Sequence, residues 1–545
     1  MTVYFLEVLH DDNFMYIWLI YFVIFLCFMC WIVWIFDLNR NSDRDLPKEI
    51  LKLLKGNKNR GQEWYGISVL TEAGDINTYK FQDIYDTRIY EALSDTKDKI
   101  IWIIWHARYP TSWWKSQWDE YIQPFDMKEL DSKMAFAFNG NIANADDLGE
   151  EMNRKKFSKI FSGDILDTKV LEKMILDEVA NGERNTSRIS ENIHNQIDGS
   201  CNMILMSWDG DFTLSKDRWW FRPLSIVEHE VRTREKTERM VYFSSESSAL
   251  VDLWFNDNDI KGINTWESIK YNPKSKELIK SKMDLDLPLD KSRCFFETVY
   301  FADRNSRIWW EASNTHRYRL GQTLAKNDHN YFHRDDSIVV DVPASSRDTA
   351  EWFAKELDLP LFSTAITKNP LFDKRAFIWA NPEERKKILE SKYIFNPDLK
   401  PLIKWKKIVL VDDSIVRGST LDFLINKIKE FYEPSEVHIR IPSPPIIGPC
   451  YYAINLKNPN ELIARKFFKD PNQPEHDELE KLATHLWGDS LRFINKEELI
   501  DSLRVDVKDM CLWCITWKYP TPKWRQIFKD QIKKESDVSQ TKTPA

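Results

Sequence analysis

The segment KKIVLVDDSIVRGSTLDFLINKIKEF, starting at Lys406, limits the fold more than any other stretch of the chain. Ile408, Val409, Leu410 and Val411 form a run that is apolar on both faces, whereas Leu421, Leu424, Ile425 and Ile428 keep helical spacing. A strand apolar on both sides must be covered on both sides, which is the condition of a parallel sheet flanked by helices. The run at 338–342 has the same character, so a doubly wound α/β domain is expected over residues 290–505. At such a junction Asp412 and Asp413 lie at the carboxyl end of a strand, where ligands bind in open α/β sheets. Ser414 to Thr420 then offer hydroxyls and backbone N–H groups at a helix amino terminus, a favourable place for phosphate, and Gly418 permits close backbone approach. An isolated pair of acids there would more simply cap a helix; the whole string asks for a phosphate.

A chain of 545 residues with 43% apolar content can bury more than one core. The net charge of -8 leaves no basic excess for a nucleic acid backbone, so nucleic acid is not expected as a partner. Seven scattered cysteines differ from the dense pattern of a small secreted domain and point to a reducing, cytoplasmic setting in which thiols serve catalysis or metal binding. Strand-like runs at 100–104 and 135–138 and helical periodicity at 167–179 give a mixed α/β reading up to residue 281. The charged, proline-containing stretch 274–293 reads as a linker, and the polar residues 529–545 as a disordered tail. Residues 15–36 are almost uncharged and apolar, and on hydropathy alone they read as a membrane-spanning helix.

The VDDSIVRGST string resembles the phosphoribosyl pyrophosphate signature of type I phosphoribosyltransferases. The resemblance implies that Asp412 and Asp413 contact the ribose hydroxyls while Ser414, Ile415, Val416, Arg417, Gly418, Ser419 and Thr420 hold the 5′-phosphate. VPASS at 342–346 resembles the family's other strand-end loop and implies that Ser345 joins Asp412 and Asp413 in a Mg2+ site, although Ala344 stands where the family usually has Asp. Residues 368–378 resemble the loop that closes over this site but lack its usual tyrosine.

A second resemblance lies upstream. RGQEWYGI at 60–67, HARYPT at 106–111 and AFNGNIANADDL at 137–148 are similar to the class II glutamine amidotransferase domain, an N-terminal-nucleophile hydrolase. Such an enzyme cleaves an amide through a tetrahedral oxyanion and needs preorganised donors. By resemblance the Asn139 side chain and the Gly140 N–H are those donors, Arg108 pairs with the glutamine carboxylate, and Asp167 holds its amino group. The family's mature chain starts with a nucleophilic cysteine in a string CGIVGI; here the string is CWIVWI at Cys30, directly after Met29. A start at Met29 followed by its removal would expose the Cys30 α-amine as general base, with residues 1–29 an apolar leader extraneous to the enzyme.

Four further cysteines, Cys294, Cys450, Cys511 and Cys514, match positions that hold a [4Fe–4S] cluster in one branch of the amidophosphoribosyltransferases, with a structural role implied. Cys27 and Cys201 receive no role. Taken together, these resemblances run from Cys30 to about Pro522. They imply an α+β N-terminal-nucleophile hydrolase domain of αββα sandwich type (30–281) followed by an α/β type I phosphoribosyltransferase domain (290–505) and a cysteine segment (506–528). The implied activity is an amidophosphoribosyltransferase using glutamine and phosphoribosyl pyrophosphate, as a homodimer or homotetramer. One alternative is a membrane-anchored, inactive relative acting as a nucleotide sensor, which requires residues 15–36 to be a genuine anchor. A second, another class II amidotransferase with a different acceptor, has no use for the VDDSIVRGST loop.

One anomaly crosses all these motifs. The chain has 15 Gly, under half the usual share of roughly 7%, and 23 Trp. Trp31, Trp34, Trp105, Trp114, Trp220, Trp266, Trp310, Trp352, Trp405, Trp487 and Trp517 stand where the resembling family has glycine. Glycine holds such places because they need positive φ or close approach. Systematic replacement by the largest side chain is expected if the source lineage reads UGA as glycine and the gene was translated with UGA as tryptophan.

Overall fold

The computed structural model describes residues 31–61, 63–83, 88–94, 96, 98–107, 122–127, 133–155, 165–285, 291–309, 311–370, 389–452, 456, 458–470, 473–519, 521, 524–526 and 529–530. Two antiparallel sheets face each other in the first half. The seven-stranded sheet runs in the order Lys261–Gly262, Ser225–Arg232, Thr237–Ser244, Trp31–Asp37, Ile100–Ala107, Glu63–Thr71, Ile76–Asp83. Six strands form the other, Glu277–Lys282, Glu267–Asn272, Phe212–Ser215, Gly199–Ser207, Met134–Ile142 and Phe125–Met127. Alternation along the strands divides their side chains between layers. Trp34, Phe36 and Ile104 point inward to meet Ala137, Ile204 and Leu214 of the opposite sheet. Val33 and Ile35 point outward against Ile50, Leu53 and Leu54 of the Leu46–Gly56 helix. Helices Asp167–Ala180 and Thr186–Gln196 cover the far side of the second sheet, giving a helix–sheet–sheet–helix sandwich.

Two readings from local pattern change in this context. The last part of the apolar run 15–36 is the buried Trp31–Asp37 strand, paired on both sides at the middle of its sheet. Among the described residues no helix is long and apolar enough to cross a membrane. Within the stretch read as a linker, Glu277–Lys282 is an edge strand paired along its length with Glu267–Asn272. Its exposed, lysine-rich side chains gave the composition of a loop, and backbone pairing with its neighbour overrides that signal.

The second half is built on a four-stranded parallel sheet in the order Ser337–Asp341, Lys407–Val411, Glu436–Ile441, Ser490–Phe493. Alternate residues of its strands enter different cores. Ile338, Val340, Ile408 and Leu410 pack with the Ser419–Tyr432 helix, whereas Val339, Val409 and Val411 pack with Leu320, Phe353 and Leu499 on the other face. This is why those runs are apolar throughout.

Eight tryptophans occupy left-handed backbone: Trp64, Trp220, Trp254, Trp266, Trp309, Trp405, Trp487 and Trp517, with φ between 58° and 72°. Three of them end helices. The Trp487 N–H reaches the Thr484 carbonyl (3.0 Å) and the Gly488 N–H reaches that of Ala483 (2.8 Å), so Trp487 holds the left-handed place of a Schellman motif. Trp254 does the same after the Ser247–Val251 helix, with Trp254 N–H to Val251 O at 2.8 Å and Phe255 N–H to Leu250 O at 3.4 Å. Trp517 closes the simpler motif on the Trp513 carbonyl at 2.9 Å. A side chain in this conformation costs roughly 1–2 kcal/mol, so eight cost about 8–16 kcal/mol, as much as the whole net stability of an ordinary domain.

Candidate functional site

The Lys407–Val411 strand ends where Asp412 and Asp413 enter the rim of a pocket, and the chain then turns through 414–418 into the Ser419–Tyr432 helix. Both carboxylates are buried, at 7% and 5% exposure. Asp413 accepts hydrogen bonds from the hydroxyls of Ser345, which arrives from the end of the neighbouring parallel strand, and of Ser414 (2.7 Å). Gly418 has φ +81°, the left-handed conformation that favours glycine, and a Cβ there would push against the tip of the Ile463 side chain at 2.6 Å. No side chain caps the amino end of the helix that follows, leaving its first N–H groups directed at the pocket. Ser345, Asp412, Asp413, Ser414, Ile415, Val416, Arg417, Gly418, Ser419 and Thr420 all line this one pocket. Arg417 pairs with Glu461, which fixes the loop to the following segment.

Electrostatics suits a cationic ligand beside an anionic one. Burial pushes the Asp412 carboxyl well above the carboxylate range, the adjacent Asp413 charge adds to this, and Lys392 and Lys368 pull it back. Asp413 is raised by burial and restrained by its bonds to Ser345 and Ser414. Two crowded carboxylates and a hydroxyl are hard oxygen donors of the kind Mg2+ takes. Lys392, Tyr300 and Tyr393 also line the pocket and were not singled out in the sequence, where nothing ties a lone Lys or Tyr to a loop elsewhere in the chain.

The other expected site lies in the sandwich. Asn139 and Gly140 sit on the Met134–Ile142 strand, paired with Asn202 and Cys201. A Cβ at Gly140 would lie 1.8 Å from the Ser200 carbonyl, so only glycine allows this pairing. The buried Asn139 amide donates to Ser245 Oγ at 3.5 Å, and that hydroxyl accepts from the Ile32 N–H at 3.1 Å. Ser245 therefore joins the proposed oxyanion donor to the strand that begins just after Cys30, a link absent from the sequence reading. Asp167 opens its helix; the Cys201 thiol, opposite Gly140, is raised by its burial first and then by the charges of Asp217 and Asp167. Cys30 and Arg108 lie outside the described residues; they adjoin Trp31 and Ala107, which are partners in register.

Cys294 and Cys511 are partners in the two-residue parallel pair Arg293–Cys294 and Met510–Cys511. The Cys514 carbonyl takes the N–H groups of Ile447 and Gly448, which brings the Cys450 segment alongside. Burial pushes the Cys294 thiol up to about 12, and Cys511 and Cys514 are raised for the same reason. Cys294, Cys511 and Cys514 each feel Cys450, so the four sulfurs gather in one apolar place. None is in a disulfide. Among the described residues no group of three or more ligands is set for a single metal ion. A four-iron cluster distributes four thiolates, and this donor set fits it.

A buried ionic chain connects the two halves. Arg60 bridges Glu246 and Glu297, Glu297 also holds Arg222 at 2.7 Å, and none of the four is more than 2% exposed.

The architecture is an N-terminal-nucleophile sandwich joined to a type I phosphoribosyltransferase sheet, an amidotransferase built from two half-sites. No family model matches the chain. It is 30% identical over 501 residues to the amidophosphoribosyltransferase of Methanocaldococcus jannaschii, spanning 89% of this chain and 97% of that protein. The human amidophosphoribosyltransferase is 30% identical over 477 residues, 85% of this chain and 86% of its own length. Among solved structures, the glutamine phosphoribosylpyrophosphate amidotransferase of B. subtilis complexed with ADP and GMP superposes with a TM-score of 0.71 at 26% identity, covering 90% of this chain and 97% of that one. A structure described as the allosteric regulatory enzyme of purine biosynthesis shares the fold, with a TM-score of 0.72 at 24% identity over 92% and 99% of the two chains. The chain belongs to the amidophosphoribosyltransferase family.

Proposed function

We propose that this chain converts phosphoribosyl pyrophosphate, glutamine and water into 5-phosphoribosylamine, glutamate and pyrophosphate, the first step of purine nucleotide synthesis. The observation that carries the proposal is the presence, in one chain, of the Asn139–Gly140 strand and of the Asp412–Asp413 loop before an uncapped helix.

In the glutamine half-site the Cys30 thiol gives its proton to its own α-amine, and the thiolate attacks the side-chain amide carbon of glutamine. The Asn139 amide and the Gly140 N–H receive the negative oxygen, while Arg108 and Asp167 hold the α-carboxylate and α-amino groups. The carbon–nitrogen bond breaks, ammonia departs with the proton from the α-ammonium, and water then cleaves the thioester to glutamate and free thiol.

Ammonia passes within the molecule to the ribose C1, where its nitrogen forms the new bond as the bond to pyrophosphate oxygen breaks and a proton leaves the nitrogen. Asp412 and Asp413 position the ribose hydroxyls, and the N–H groups and hydroxyls of 414–420 fix the 5′-phosphate. Asp412, Asp413 and Ser345 would hold Mg2+, which supplies neutralisation of the pyrophosphate charge when bound. Cys294, Cys450, Cys511 and Cys514 would hold a [4Fe–4S] cluster that ties the carboxyl-terminal segment to the second sheet. A cytoplasmic setting and a homodimer or homotetramer belong to the same proposal, by resemblance to the family. Nothing among the described residues favours a membrane-anchored sensor.

The test is Cys30→Ala. Glutamine-dependent product formation should vanish while turnover with ammonium persists; equal loss of both would defeat the two-site reading.

A further inference from the structure

We propose that Trp64, Trp220, Trp254, Trp266, Trp309, Trp405, Trp487 and Trp517 are glycine in the protein as its source cell makes it, their codons being decoded there as glycine. The backbone carries the argument, and it reaches positions that sequence comparison did not single out: Trp64, Trp254 and Trp309. Besides these eight, the described non-glycine residues with positive φ are Arg40, Lys276, Asp358, Glu433 and Arg504, all charged. The chain contains 31 Phe and 19 Tyr beside its 23 Trp. If these backbone sites accepted large aromatic rings, Phe and Tyr would share them. Among the described residues neither occurs at positive φ even once. The property shared by the eight is therefore not aromaticity but the conformation that glycine alone adopts without a steric penalty.

The local settings agree. Trp254, Trp487 and Trp517 hold the left-handed place that closes a helix, where glycine is the usual residue. Trp254, Trp405 and Trp487 are 87%, 71% and 54% exposed, so no burial of the ring repays the conformation. Decoding as glycine at the eight positions also narrows the shortage of glycine and the surplus of tryptophan together, from 15 Gly and 23 Trp to 23 Gly and 15 Trp.

A different kind of misfit lies in the sandwich, shared by Trp34, Trp105 and the neighbouring Trp102. Trp34 and Trp105 are fully buried in strands, and their indole N–H groups meet no acceptor. Trp31, the residue after Cys30, fills the space at the start of its strand and reaches the Gly61 carbonyl at 3.2 Å.

Peptide mass spectrometry of the protein purified from its source organism decides the matter without any activity measurement. Glycine masses at the eight positions are expected; tryptophan masses there overturn the proposal. An independent measurement uses two recombinant forms of the full chain, one with tryptophan at all eight positions and one with glycine. The glycine form should melt at least about 10 °C higher. A tryptophan form that melts at the same temperature or higher would overturn the structural argument. Both readouts are separate from glutamine or ammonium turnover, so failure of the proposed reaction would not be confused with failure here.

Discussion

The Arg60 guanidinium donates to both carboxylate oxygens of Glu297, at 3.3 and 2.8 Å, with both side chains almost closed to solvent. Arg60 directly precedes Gly61, whose carbonyl is held by the Tyr65 hydroxyl at 3.3 Å. Glu297 begins the short turn that brings Tyr300 to the pocket of Asp412 and Asp413. One buried ion pair thus lies between the two half-sites. Removing one partner leaves an uncompensated charge in a dry interior, so Glu297→Gln should cost about 3–5 kcal/mol in urea unfolding. The glutamine-dependent rate should fall more than the ammonium-dependent rate. Equal falls would reduce the pair to a structural role.

Gly140→Ala places a methyl group against the Ser200 carbonyl and displaces the N–H that we propose faces the developing oxyanion. Glutamine-dependent turnover should drop by about 10²–10³, the cost of losing one such donor. Ammonium-dependent turnover, measured on the same preparation, should stay close to the parent. A variant with full glutamine activity would remove Gly140 from the site.

Asp413→Asn deletes the charge that Ser345 and Ser414 hold in place at the strand end. Since the acceptor site serves either source of nitrogen, both rates should fall together, by about 10²-fold for a misplaced ribose. Loss with glutamine alone would assign Asp413 elsewhere.

Cys511→Ser removes the residue that pairs with Cys294 between two short strands. The anaerobically purified parent should show the broad visible absorption of an iron–sulfur cluster and lose it to the variant, whose segment after residue 506 should become sensitive to protease. A parent without iron or visible absorption would withdraw the cluster.

Acid should weaken the fold through two histidines. Burial pushes His194, bonded to Ser215 at 3.0 Å, down to about 4, and burial with the nearby Arg319 does the same to His316. An unfolded histidine takes up its proton near 6.5, so between about pH 6.5 and 4 the unfolded chain binds protons that the folded one refuses. This stability is complete above pH 6.5 and is lost on acidification, at up to about 1.4 kcal/mol per pH unit for each histidine. Asp341, raised to about 6 by burial, opposes the trend, because its folded form retains a proton that the unfolded form releases. His194→Gln should therefore shrink the drop in urea midpoint between pH 7 and pH 5. An unchanged drop would contradict the assignment.

Sequence order singled out the candidate phosphate loop because each of its determinants is local. Ile408 to Val411 announce a strand covered on both faces, Asp412 to Thr420 follow it without interruption, and the helical stripe from Leu421 comes next. The cysteine set was also visible, because Cys511 and Cys514 form a C-x-x-C and all four cysteines match positions of the resembling family. Ser245, Lys392, Glu246 and Glu297 were not visible, because a serine, a lysine or a glutamate is common everywhere and acquires a role only from what folds against it. The edge strand Glu277–Lys282 was missed because its side chains are those of a solvated loop.

The sequence by itself determined the alternation of strands and helices, the two strings of candidate site residues and their order along the chain, since these depend on neighbours within a turn or a strand. Tertiary structure decided which residues meet across long separations: Asn139 with Ser245, Ser345 with Asp413, Arg60 with Glu297. It also decided which tryptophans sit in left-handed backbone, because φ follows from the path of the whole chain and is not written in the identity of one residue.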